Sequence, residues 1–116
     1  LKNAVKQWAN VGAFVHALHT NDHQLFADSL KDYIVEPHRS KLIPRFKEVI
    51  QASVNAGALG GGISGSGPSI FTFSKDVQTA ENVNYAINEV YSKTEIPYHV
   101  YTSKINDKGV KILKQQ

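Results

Sequence analysis

Two stretches of this sequence carry residue types in arrangements that suit small-molecule chemistry. The first is Glu36-Pro37-His38-Arg39, followed closely by Leu42-Ile43-Pro44-Arg45. Two prolines restrict the backbone to few shapes, and a rigid connection presents a side chain reproducibly. A guanidinium at Arg39 can grip a carboxylate through two parallel N–H···O bonds, with Glu36 near enough to orient it. The same spacing also allows an exposed Arg39–Glu36 ion pair of little energetic worth. The second stretch is Gly60-Gly61-Gly62-Ile63-Ser64-Gly65-Ser66-Gly67-Pro68-Ser69, and six of the eight glycines lie between Gly57 and Gly67. Glycine lets a backbone pass close to another backbone or to a ligand. Successive unhindered N–H groups can also form an anion-binding nest. A tight structural turn would use the same residues. The run is neither a Walker A sequence nor a Rossmann fingerprint, so spacing alone leaves both readings open.

Other candidates offer less. His16, His19 and His23 have metal-like spacing, but Thr20-Asn21-Asp22 breaks a helix between them, so the three need not share a face. Ser64, Ser66 and Ser69 lack the elbow and the following acid and histidine that a hydrolase needs. His38 and His99 read as ordinary polar residues, Asp76 as a helix cap, and Trp8 as core.

The elements that must position these groups follow from periodicity. Val5, Trp8, Val11, Val15 and Leu18 step by three or four, which predicts a helix burying that stripe. A second helix is expected to bury Leu25, Phe26, Leu30, Tyr33 and Ile34. It should end near Val35, because Pro37 disfavours the α region for Glu36. Pro44 opens a third helix with Phe46, Val49, Ile50 and Val54 as its stripe, and Gly57 closes it. Two strands follow, in Ala58 to Ile63 and at Ile70-Phe71-Thr72-Phe73. Asp76 caps a fourth helix built on Ala80, Val83, Ile87, Val90 and Tyr91. Tyr98 to Ile105 is the strongest strand pattern, Asn106 to Gly109 has hairpin chemistry, and Val110 and Ile112 form a short last strand. This order predicts an α+β two-layer sandwich: a four-stranded, mostly antiparallel sheet with helices on one face and extra N-terminal helices.

Composition narrows the classes. The chain has 116 residues with a net charge of +3. It is one domain, and size scaling predicts a folded surface of about 6,300 Å², about two thirds of the unfolded surface being buried. Without cysteine there are no disulfides, thiolate nucleophiles or Cys-based metal sites. All but two of the 13 basic residues are dispersed lysines, which reads as a solvated surface and not as a nucleic-acid footprint. No apolar run reaches the ~20 residues of a membrane span. Nothing resembles a secretory signal, which points to the cytoplasm. The first residue, Leu1, falls inside a helical pattern, so the chain is expected to be a piece of a longer protein.

The run Gly62-Ile63-Ser64-Gly65-Ser66-Gly67-Pro68-Ser69, downstream of Glu36-Pro37-His38-Arg39, resembles the C-terminal domain of the homoserine kinases. These belong to the superfamily of galactokinase, homoserine, mevalonate and phosphomevalonate kinases. The likeness extends over nearly all 116 residues, and neither motif departs from the pattern. It implies a ferredoxin-like fold and a site in a cleft between this domain, residues 1–116, and an N-terminal domain outside this chain. ATP and Mg²⁺ would be bound mainly by that N-terminal domain. Arg39 would bind the carboxylate of L-homoserine, Gly65 and Ser66 would contact substrate, and Gly62, Ser64, Gly65, Ser66 and Gly67 would line the cleft. No catalytic residue and no metal ligand is expected in this chain, and no nucleic-acid or membrane partner. A homodimer is one assembly open to it. The alternatives are a kinase of the same superfamily acting on another small hydroxylated metabolite, or a stand-alone ferredoxin-like binding module.

Overall fold

A computed structural model describes residues 1–114. Helix α1 spans Lys2–Thr20 and ends where Asn21 takes a left-handed conformation, φ 54°, which Asn tolerates better than most residues. Asp22 then caps α2 (His23–Ser29), its carboxylate accepting the Leu25 N–H at 2.9 Å.

The region after α2 departs from expectation. Helix α2 stops at Ser29, well before Val35, and a separate short helix α3 covers Glu36–Arg39. The Asp32 carboxylate accepts N–H bonds from Ile34, Val35 and Glu36 at 2.8, 2.9 and 3.2 Å. These amides would otherwise be the unpaired donors of a helix start. Pro37 sits in the first turn of α3, where its missing N–H costs nothing, so Glu36 is helical after all. A 3₁₀ turn, Ser40–Leu42, continues the direction of α3.

Helix α5 (Val77–Tyr91) follows the sequence pattern, whereas helix α4 (Phe46–Asn55) starts at Phe46, after a left-handed Arg45, and leaves Val54 of its expected stripe exposed. Phe46, Val49 and Val83 are buried, as are Ile43 and Ala58 beside them. Gly57, at φ 104°, turns the chain out of α4. Strands β1 (Gly60–Ile63) and β2 (Ile70–Phe73) pair antiparallel, Gly60 opposite Phe73 and Ile63 opposite Ile70. Edge-to-face and tilted ring contacts from Phe71 to Phe73, Phe26 and Phe14 tie the sheet to α2 and α1 at centroid separations of 4.9–5.3 Å.

At the start of α5, Asp76 accepts the Thr79 N–H at 2.7 Å. The Thr79 backbone N–H first, then its hydroxyl, hold the Asp76 carboxyl below its ordinary value. A lowered carboxyl stabilises the fold above the unfolded pKa, and that contribution disappears as pH falls through the folded value. Asp76→Ala is therefore expected to melt earlier than wild type at neutral pH, the gap closing in acid. Thermal melts across pH check this.

Two expectations are corrected. Among the described residues the sheet has two strands, not four. Residues 98–105 and 110–112 form no ladder. The turn between them does form, with Asn106 Nδ2 donating to the Gly109 carbonyl at 2.7 Å. Residues 96, 98 and 100 are half-buried while 97, 99 and 101 are exposed, so the strand-like alternation survives as far as residue 101, beyond which residues 102–114 are all exposed. One side of the segment rests on α5, where Tyr98 stacks on Tyr91 and Asn84 bonds Thr102. Strand residues need a neighbouring backbone before they become a strand.

The second correction concerns α1. Val5, Trp8, Val11, Val15 and Leu18 are exposed, not buried, and Trp8 keeps 65% of its surface in solvent. The helix instead packs through Ala13, Phe14 and Ala17 on its other side. The chain exposes 8854 Å² in total, well above the size-scaling figure of about 6,300 Å².

Candidate functional site

The two motifs meet. Arg39 ends α3, and its Nη2 donates to the Ser66 carbonyl at 2.6 Å. That bond uses one of five guanidinium N–H donors, and the side chain is exposed. The expected alternative, an Arg39–Glu36 ion pair, is not formed: the described ion pairs are Arg45–Glu48 and Lys93–Glu89. Arg45 is thereby occupied, both Glu48 oxygens lying 2.8–2.9 Å from its Nη1. Of the two arginines, only Arg39 reaches the glycine loop.

The loop from Ser64 to Ser69 joins β1 to β2. Ser64 N–H donates to the Ser69 carbonyl at 2.8 Å, and Gly67 N–H to the Ser64 carbonyl at 3.1 Å, closing a tight turn. Gly65 sits at its tip with φ 61° and nothing within 4 Å of where a Cβ would project. That open direction is where a ligand or another domain can approach without a side chain in the way. Ser64, Gly65 and Ser66 are exposed, whereas Gly67 is half-buried over Ile43 and Ile63. Ile43 is itself buried, so the Leu42-Ile43-Pro44 segment supports the loop from beneath.

Gly62 is separated from the exposed group. It is buried in β1, and a Cβ there would sit 3.4 Å from Glu36 Oε2 and 3.5 Å from the Phe71 ring. The structure therefore brings Arg39, Ser64, Gly65, Ser66 and Gly67 to one wall, with Gly62 in the sheet behind it. Burial, and after it the neighbouring Asp32, push the Glu36 carboxyl above the usual carboxylate range, with Lys31 acting in the opposite sense. Asp32 and Ile43 have structural roles here that the residue pattern did not assign. For Asp32 the signal was present: a short acidic side chain just ahead of an X-Pro helix start.

The family description "GHMP kinases C terminal" matches residues 14–93. The chain belongs to the GHMP kinase family. A homoserine kinase from Chlorobium phaeovibrioides is 46% identical over 115 residues, covering 97% of this chain and 36% of that protein. One from Chlorobaculum tepidum is 43% identical over the same shares. The crystal structure of homoserine kinase from Cytophaga hutchinsonii superposes with a TM-score of 0.88 at 46% identity, covering 94% of this chain and 35% of that one. This GHMP kinase chain thus spans about a third of the length of the relatives it matches.

In this GHMP kinase domain the wall at Arg39 is open, not enclosed. A depression of about 450 Å³ lies elsewhere, between α5 and Thr102. Another, of about 230 Å³, lies beside Arg45 and includes neither Arg39 nor the loop. Sites of this kind need a second wall to exclude water. Among the described residues no three His, Cys, Asp or Glu side chains gather where a metal ion could sit.

Proposed function

We propose that this GHMP kinase domain is the substrate-side part of a cytoplasmic homoserine kinase, which transfers the γ-phosphoryl group of ATP to the side-chain hydroxyl of L-homoserine. The observation that carries the reading is Arg39, seated on the Ser66 carbonyl with donors to spare and no carboxylate partner among the described residues. The homoserine kinases that align over 97% of the chain support it.

Phosphoryl transfer asks the protein for alignment and charge stabilisation more than for covalent chemistry. Arg39 would hold the substrate carboxylate, the end remote from the reacting hydroxyl. Gly65 and Ser66, with Ser64 and Gly67 around them, would leave room for substrate beneath the opposing domain. We assign ATP and Mg²⁺ to the N-terminal part of the longer protein, as the likeness to the homoserine kinases implies. In that complete protein, residues 98–105 and 110–112 would complete the four-stranded ferredoxin-like sheet, a reading supported by the alternating burial at residues 96–101.

The test is a kinase assay on the complete protein with ATP, Mg²⁺ and a panel of small hydroxylated metabolites. The highest kcat/KM is expected for L-homoserine. Preference for another hydroxylated metabolite would overturn the substrate assignment. Titrating ATP into the 116-residue chain alone should show no micromolar binding.

A further inference from the structure

Helix α1 is 19 residues long and presents an apolar stripe to solvent over its whole length. Val5, Trp8, Val11, Val15 and Leu18 all stand between 49% and 65% exposed. A surface helix normally turns its apolar stripe inward. Here the inward side is the one bearing Ala13, Phe14 and Ala17. This helix is therefore apolar on two sides, and its own domain covers only one of them.

We infer that the exposed stripe of α1 docks against the remaining two thirds of the complete protein, making α1 an inter-domain helix. Three observations favour that occupant. First, the relatives extend far beyond the matched stretch, which is only 36% of their length, so a large body of chain is present to cover the face. Second, the five stripe residues form one continuous apolar face along α1, where apolar residues exposed singly would be ordinary. Third, α1 carries Lys2 and Lys6 and no carboxylate. Pairing two copies through α1 would set like charges near one another with nothing on either helix to offset them, which disfavours a second copy. The inference holds whichever hydroxyl the enzyme phosphorylates.

Cysteine accessibility in the complete protein tests this. Val11→Cys and Lys93→Cys are made separately and labelled with a bulky maleimide, with labelling of the unsubstituted protein subtracted. Both positions are open in this chain, Val11 at 63% and the Lys93 side chain at 72%. Under the inference Val11→Cys labels about 10-fold or more slower than Lys93→Cys, at a concentration where sedimentation shows a monomer. Equal rates would overturn it. So would protection that appears only as the protein dimerises, or only on adding vesicles of anionic lipid. Should Val11→Cys fail to fold, Trp8→Cys reads out the same face.

Discussion

Arg39→Ala in the complete protein is expected to lower kcat/KM for L-homoserine about 10- to 100-fold. A hydrogen bond to a charged group is worth about 1.5–3 kcal/mol, and each 1.36 kcal/mol is tenfold in rate. The lost contact would act on a guanidinium that the structure leaves unneutralised: Glu36 does not pair with it, and its one described bond is to a backbone carbonyl. Arg39→Lys should recover only part of the loss. Lysine restores the charge but not the planar pair of donors that matches a carboxylate. Arg45→Ala is the matched control. It removes a neighbouring arginine whose exposed pairing with Glu48 is worth about 0–1 kcal/mol, and it should leave turnover unchanged. Steady-state kinetics on the three variants, with melting curves to show that each is folded, decide the matter. Unchanged kinetics in Arg39→Ala would remove Arg39 from the substrate site.

What could be read from the residues, and what could not, follows from where each signal's partner lies. Helices α4 and α5 were legible because their stripes meet each other within the chain, burying Val49 and Val83. The Asp76 cap was legible because its partner, Thr79, is three residues away. The stripe of α1 was equally plain as a pattern, but periodicity reports only that a face is apolar. Its burial depends on a surface, and the described residues cover the opposite side of the helix instead. The segment from Tyr98 to Ile105 has the same difficulty in two dimensions, since strand propensity cannot supply the adjoining backbone. The short α3 was missed because a local bias, proline acting on the residue before it, yielded to the three amides that Asp32 collects. Arg39 and the Gly65 loop could each be read as chemistry or as scaffold from spacing alone. Their convergence is a tertiary fact, with 27 residues separating donor from acceptor.

Gly61→Ala should be the most damaging single-methyl change to the fold, melting on the order of 10–20 °C lower or failing to fold. A Cβ at Gly61 would collide with the Phe71 carbonyl oxygen of the paired strand, with Thr72 Cγ2 at 2.9 Å and Ile50 Cδ1 at 3.2 Å closing the remaining directions. Side chains can rotate away, but a ladder carbonyl can move only if β1 and β2 separate, and they are the only paired strands among the described residues. Overpacking typically costs about 1–3 kcal/mol, and the upper end or beyond applies where backbone must give. Gly65→Ala is the counterpart at the other end of the same glycine run. It meets nothing within 4 Å, so its cost to the fold is the left-handed φ alone, about 1–2 kcal/mol. Its methyl would project from the loop tip into open space, on the wall where we assign the substrate. The pair should therefore separate cleanly: Gly61→Ala loses melting temperature, while Gly65→Ala stays folded and loses kcat/KM in the complete protein. The triplet opening the run would then answer to backbone packing, and the glycine at the loop tip to the ligand. If Gly61→Ala melts like wild type, the close approach of β1 to β2 is wrong, and so is the placement of the loop those strands carry.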